Sequence, residues 1–259
     1  MSSVKSFWDD RARDPALDPA QVTHPDTWQR WLEIETVKPF LHTGGRVIDI
    51  GCGSGYATKK FAALVSSILG VDFSQGMIDR ARQDGAVPPN ASFETANVLG
   101  LAPASFGLFD TAVTMRCLIN LPDWDTQQTA LSNIASVVRP GGRYIFVEGC
   151  KDGRDRLNEA RYDMGLQPMP AVWHNVDFER ERTLAFLQRY FTVVEELGFG
   201  LYDLIARVVH PLLAAPEAPR YEAKINEIAA RIASKRQGCN EISRVLFLVL
   251  ERKGSNPET

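Results

Sequence analysis

The 259-residue chain predicts an α/β protein built on a doubly wound sheet. Short apolar, often β-branched runs alternate with stretches of helical period, as layered α/β folds require. The first such run turns at once into Gly51-Cys52-Gly53-Ser54-Gly55. The second ends in a carboxylate, Asp72. That order is the one in which open sheets place a ligand beyond the carboxyl ends of their strands.

The N-terminal stretch is polar and broken by Pro15, Pro19 and Pro25, so residues 1–26 are expected to wrap the surface as a lid. From Thr27 to Phe40, Trp28, Trp31, Leu32, Ile34 and Val37 recur at helical intervals. Arg46 to Ile50 is the first strand, and Phe61, Leu64 and Val65 mark the helix after the glycine loop. Ile68 to Asp72 is the second strand, with Ser74 as cap of a helix carrying Met77, Ile78 and Ala81. Ala91 to Ala96 and Phe109 to Thr114 read as the third and fourth strands. Trp124 to Val138 has helical rhythm, Pro140-Gly141-Gly142 is a turn, and Arg143 to Glu148 a fifth strand.

The second half is less regular. Lys151 to Asp177 shows no clear period, and Phe178 to Tyr190 reads as a helix. Phe191 to Gly198 and Val245 to Leu250 complete the strands. Between them Leu201 to Asn240 is largely helical, interrupted by Pro211, Pro216 and Pro219. Residues 1–259 form one domain in this reading, with 151–178 and 201–240 as insertions that cap a substrate. The late insertion serves equally as a dimer contact.

Composition narrows the function. The apolar fraction is 44% and the net charge −3, with no run of Lys or Arg, so a duplex nucleic acid is not the expected partner. Cys52, Cys117, Cys150 and Cys239 form no C-x-x-C pair, so neither zinc nor a disulfide framework is expected. No apolar signal segment or stretch of ~20 apolar residues occurs, which points to a cytoplasmic protein without a membrane anchor.

A dinucleotide site wants G-x-G-x-x-G, whereas this loop is G-x-G-x-G led by Asp49. Val47-Ile48-Asp49-Ile50-Gly51-Cys52-Gly53-Ser54-Gly55 resembles the first motif of the class I methyltransferases, and Val71-Asp72-Phe73-Ser74 the second. Asn97-Val98 stands where that family usually has an acid beside the adenine, a departure that keeps a side-chain acceptor. Phe109 to Val113 resembles the fourth strand, and Arg139-Pro140-Gly141-Gly142-Arg143 the turn before the fifth. Phe7-Trp8-Asp9 is similar to a segment that some members fold over the cofactor. The resemblance covers roughly Trp28 to Glu148. It implies a seven-stranded, Rossmann-like sheet with helical cap insertions. It also implies S-adenosyl-L-methionine as cofactor and S-adenosyl-L-homocysteine as product. The implied seat comprises Asp49, Gly51, Cys52, Gly53, Gly55, Asp72, Phe73, Met77, Asn97, Val98 and Arg116. Asp72 would grip the ribose hydroxyls, while Arg116 could also pair with an acidic substrate group.

Methyl transfer from a sulfonium is an in-line displacement, in which orientation carries much of the rate and an oxygen acceptor usually needs a base. The acceptor, a small molecule methylated on O or N, is expected against Met115 to Leu121, Glu148 to Asn175 and the late insertion. His174, beside Trp173, is the first candidate base. His210 is a second, and Glu148 serves as base, substrate anchor or plain strand-end carboxylate. The competing readings are a non-catalytic cofactor-binding scaffold and a nicotinamide-dependent oxidoreductase. A base methyltransferase fits poorly, because Arg116 to Asn120 lacks an Asn/Asp-Pro-Pro-aromatic stretch.

Overall fold

A computed structural model describes residues 3–254, so the ends of the 1–26 and 1–259 spans lie outside the described residues. Seven strands form one sheet in the order β3-β2-β1-β4-β5-β7-β6. They are β1 Arg46–Ile50, β2 Ser67–Asp72, β3 Ala91–Thr95, β4 Phe109–Met115, β5 Val138–Gly149, β6 Phe191–Leu197 and β7 Val245–Arg252. The first five pair in parallel, while β7 runs antiparallel to both β5 and β6. The sheet is therefore mixed rather than wholly parallel. Leu197 and Gly149 sit opposite Phe247 and Val245, so residues 198–244 leave and re-enter the sheet at its carboxyl edge.

The helices are α1 Val4–Arg13, α2 Thr27–Val37, α3 Tyr56–Ala62, α4 Gln75–Gln83, α5 Pro103–Phe106, α6 Trp124–Val137, α7 Lys151–Asp163, α8 Arg180–Leu187, α9 Gly200–Leu204, α10 His210–Ala214 and α11 Lys224–Ala233. Strand side chains alternate between two cores, as a sheet covered on both faces requires. Val245, Phe247 and Val249 pack with α2, α3, α9 and α11. Leu246, Leu248 and Leu250 pack with α6 and α8. No helix among the described residues is long and apolar enough to cross a membrane.

Local expectations hold where a side chain closes a helix end. Asp26, Ser74 and Asp123 each accept a backbone N–H as N-caps of α2, α4 and α6. Four details differ from the sequence reading. The polar N-terminus is not irregular, since α1 forms and docks with Asp9 accepting from Ser74 Oγ at 2.5 Å. The aperiodic Lys151–Asp177 stretch contains α7, a mostly charged helix that buries only Gly153 and Leu157. Strand β5 begins at Val138 rather than Arg143. Phe109 pairs with Val138 and Thr111 with Arg143, so the expected Pro-Gly-Gly turn is a bulge inside the strand.

Pro211 does not interrupt its helix either. Residues 205–209 form a π-turn between α9 and α10. The N–H that proline lacks would have gone to Arg207 O in a regular helix, and the Arg161 guanidinium donates to that oxygen instead. Helices α9 and α11 thus bury Tyr202, Ala229 and Ala230 on the α2 face of the sheet.

Gly153 shows how tightly α7 docks. A Cβ there would overlap the Ser243 carbonyl. Gly153→Ala is expected to cost roughly 1–3 kcal/mol through overpacking. Chemical denaturation would show a lowered midpoint, and an unchanged midpoint would mean that α7 is loosely seated.

Candidate functional site

The carboxyl ends of β1, β2 and β4 open into a cleft of about 280 Å³. Its floor is the loop after β1. Gly53 has φ +54°, and a Cβ on it would approach Thr23 Cγ2 at 2.6 Å. The loop can make this turn, and the 15–25 segment can pass over it, only with glycine there. Ser54 Oγ fastens that segment by donating to Pro19 O at 3.0 Å.

Two acids face the loop. Asp72, at the end of β2, accepts from Gly53 N at 3.0 Å and from Ser74 N at 2.9 Å. Asp49, in β1, accepts from Thr58 Oγ1 at 2.5 Å. Burial pushes both carboxyls up to about 6, because each is withdrawn from water without an ion-pair partner.

Of the residues expected to seat a cofactor, all but Gly55 line the cleft. Gly55 instead caps α3 with φ +70°, and a Cβ there would lie 2.7 Å from the Phe93 ring. It shapes the turn from behind. Phe73, Met77, Val98 and Asn97 line the cleft beyond Asp72. Asn97 Oδ1 accepts from Leu99 N at 3.0 Å and retains a second lone pair.

Arg116 is both cleft wall and strained backbone. Its φ is +54°, a conformation costing about 1–3 kcal/mol for such a residue. Its N–H donates to Val147 O, and its carbonyl accepts from Asn120 Nδ2 at 3.0 Å. The guanidinium does not wait for a substrate acid, since Nε and Nη2 both donate to Glu33 Oε1, at 2.9 and 2.8 Å.

The candidate bases fall outside the cleft lining. Glu148 is fully buried and accepts from the N–H groups of Cys117, Leu118 and Ile119 at 3.1–3.4 Å. It is neither an exposed strand-end acid nor open to a ligand, and it orders the loop after β4. Burial pushes its carboxyl up to about 7. His174 packs its ring 4.6 Å from Phe7 and 5.6 Å from Trp8, behind the lid helix. His210 is buried against Asn226 Oδ1 at 3.1 Å. Neither 151–178 nor 201–240 contributes a lining residue, so the expected caps leave this cleft to other segments.

The sequence reading overlooked His24, Arg30 and Glu33, all on the cleft wall. Arg30 is buried, stacks 4.7 Å from the Tyr56 ring centroid and donates to Ala20 O at 2.6 Å. Burial pulls its guanidinium down to about 10. The signal was present in α2, where Asp26, Gln29, Arg30 and Glu33 follow helical spacing opposite the apolar stripe. From the lid, Trp8 lines the cleft and donates Nε1–H to Asn120 Oδ1 at 3.1 Å.

Comparison with known proteins agrees with this geometry. A methyltransferase domain family model matches residues 47–142. The chain is 30% identical over 140 residues to a demethylmenaquinone methyltransferase of Symbiobacterium thermophilum, covering 51% of this chain and 53% of that protein. It is 27% identical to a ubiquinone biosynthesis O-methyltransferase of Albidiferax ferrireducens, covering 56% and 65%. The chain thus spans about half to two thirds of these relatives. Among solved structures, the N-methyltransferase NodS of Bradyrhizobium japonicum bound to S-adenosyl-L-homocysteine superposes with a TM-score of 0.59. Identity there is 17%, over 99% of this chain and all of that one. A Haloferax volcanii methyltransferase in complex with the Trm112 activator gives 0.64 at 16% identity, covering 95% and 98%.

The buried acids set a pH dependence for the free protein. Folded Glu148, at about 7, and folded Asp49 and Asp72, at about 6, hold protons that the unfolded chain releases near 4.5 and 3.8. Folding therefore takes up protons above those values, and the stability they contribute is lost as pH rises through 6 to 7. His24 and His174 are both lowered by burial from 6.5, so they oppose this gain as the unfolded imidazoles take up protons around that value. Going from pH 8 to about 6.5 the three acids should add about 1 kcal/mol and the two histidines take back much of it, which leaves a net change of roughly 1 °C in Tm. Thermal melts of the wild type and of Glu148→Gln without ligand check this: the variant should lose most of the acids' share, and an identical pH response would contradict the burial of Glu148.

Proposed function

Because the chain belongs to the class I S-adenosylmethionine-dependent methyltransferases, we propose that it transfers a methyl group to O or N of a small-molecule acceptor. The supporting observation is the order of charges along the cleft. Arg30 offers a buried cation that makes no ion pair among the described residues, suited to the carboxylate of an amino acid. Asp49 lies close enough to Arg30 to interact with it, and suits the ammonium of the same amino acid. Asp72 follows, with acceptor capacity for a vicinal diol. Phe73, Met77, Val98 and Asn97 then offer an apolar slot with one amide for a purine. An amino acid joined to a nucleoside has its groups in that order.

Bound there, the cofactor would supply a methyl carbon activated by a positive sulfur. The protein's work is to orient and exclude water. Trp8, Thr23 and His24 wall the cleft, and the Glu148-anchored loop adds Arg116, Cys117, Asn120 and Leu121. Asp49 and Asp72 disfavour the nicotinamide reading, since two carboxylates at the glycine loop repel a pyrophosphate. Small-molecule acceptors are also what the names of the quinone-pathway relatives indicate for those proteins.

Two measurements test the proposal. S-adenosyl-L-homocysteine should bind far more tightly than NAD, and labelled methyl should appear in a panel of small hydroxylated and amine acceptors. Asp72→Ala should weaken S-adenosyl-L-homocysteine by roughly 10–100-fold, the worth of a charge-assisted hydrogen bond of about 1.5–3 kcal/mol, with the far-UV spectrum unchanged. Unchanged affinity in isothermal titration would refute the ribose assignment. Binding without turnover on any acceptor would favour a cofactor-holding scaffold.

A further inference from the structure

We propose that His24 is the base that deprotonates the methyl acceptor, and that the acceptor is a flat phenolic or enolic hydroxyl compound. This inference rests on the methyltransferase reading and deepens it. His24 lines the cleft from the segment that crosses the glycine loop. Its Nδ1 lies 2.9 Å from Asp26 O and 3.1 Å from Asp26 N, which fixes the ring by one edge. Asp26 is itself immobilised as the cap of α2, held by Tyr202 Oη and Arg207. Among the described residues no group bonds His24 Nε2, and that nitrogen is not a buried orphan.

Burial and the charges around the ring keep it unprotonated before the acceptor arrives. Arg116 and Arg207 face it from the β4 loop and the π-turn, and Asp26 from α2. Burial first, and then Arg116, hold the imidazole well below its ordinary value, so the ring is neutral. In the tautomer whose Nδ1–H donates to Asp26 O, rather than the one whose Nδ1 accepts from Asp26 N–H, Nε2 carries the lone pair. Arg116 is held by Glu33 through Nε and Nη2, so its positive charge is fixed beside the ring. Trp8, Met115 and Leu121 add apolar wall that suits a planar ring, beside the polar Thr23 and Asn120.

The step balances simply. The acceptor O–H proton passes to His24 Nε2, and an oxygen lone pair forms the new O–CH3 bond. The carbon–sulfur bond breaks with its electron pair retained by sulfur, which leaves neutral. The imidazolium, disfavoured beside Arg116, then returns its proton to water.

The test pairs simple phenols with the matching thiophenols, which are ionised at neutral pH and need no base. In His24→Gln, kcat on phenols should fall by roughly 10²–10⁴-fold, the usual worth of a positioned base, with less than about tenfold loss on thiophenols. Affinity for S-adenosyl-L-homocysteine should stay within about threefold. In the S-adenosyl-L-homocysteine complex, the His24 ring nitrogens should shift in nitrogen NMR when para-nitrophenol binds. Equal losses on phenols and thiophenols, or an unresponsive ring, would overturn the role of His24. Methylation of amines but of no phenol by the wild-type protein would overturn the acceptor class. Failure of the wild type to bind S-adenosyl-L-homocysteine would instead sink the methyltransferase reading itself.

Discussion

Two carboxylates buried beneath one glycine loop set the terms for the rest of this molecule. Asp49 and Asp72 lie at the carboxyl ends of adjacent strands, each without a cationic partner in contact. Removing a carboxylate from water is costly unless hydrogen bonds replace the lost solvation. The backbone provides them for Asp72, because the turn at Gly53 and the start of α4 at Ser74 both aim N–H groups at it. The same bonds tie the glycine loop to the end of β2, so the acid that would hold a ligand also holds the floor beneath it. The residual cost is visible in the raised carboxyl pKa values, and a ligand carrying positive charge and hydroxyl donors would relieve it.

The wall opposite the floor depends on a second polar system. Asp26 accepts from Tyr202 and Arg207, and Arg207 also donates to Gln29. Gln29 accepts from Arg244 as well, which in turn pairs with fully buried Asp203. Burial alone would raise the Asp26 carboxyl, and Arg207 together with the hydrogen bonds from Gln29 N–H and Tyr202 outweighs it, so the pair stays charged. This network fastens α9 and the π-turn to α2. It explains why the late insertion packs on the sheet rather than hanging over the cleft. It also explains why the polar face of α2 points inward, and Gln29 and Glu33 are as buried as its leucine.

What was legible in the sequence is what local period and local chemistry encode. The five inner strands announced themselves by apolar runs, because both faces of the sheet are covered there, and β7 is buried from Val245 to Leu250. The glycine loop and Asp72 were legible because their spacing serves one backbone turn. Helices α1, α5 and α7 were not. The four residues of α5 are too few to show a period, α7 buries only Gly153 and Leu157, and the short Val4, Phe7 and Trp8 face of α1 is only partly buried. His24, Arg30 and Glu33 were hidden for a related reason. Their positions in the cleft follow from how the 15–25 segment crosses Gly53, a tertiary event that no local pattern records. Glu148 looked like a site acid at a strand end, and only the fold reveals three N–H groups converging on it.

The cleft is consequently built from walls of unequal strength. The floor and the far side belong to strands and to the loop fixed by Glu148, and share the stability of the core. The near side is different. Helix α1 is held by Asp9 to Ser74, by Trp8 to Asn120, by ring contacts of Phe7 and Trp8 with His174, and by Arg80 reaching the carbonyls of residues 11, 12, 14 and 17. These are hydrogen bonds and partly exposed rings, with no fully buried side chain on the helix itself. Elements held in that way open at far lower free energy than the global fold. Release of α1 would uncover Trp8's side of the cleft while Asp49, Asp72 and the glycine loop keep their geometry. The 15–25 segment is more firmly tied, through Arg30 and Ser54 to its carbonyls and through Asp26 to the buried network. His24 therefore stays with the rigid part of the site, and the aromatic cover moves without it.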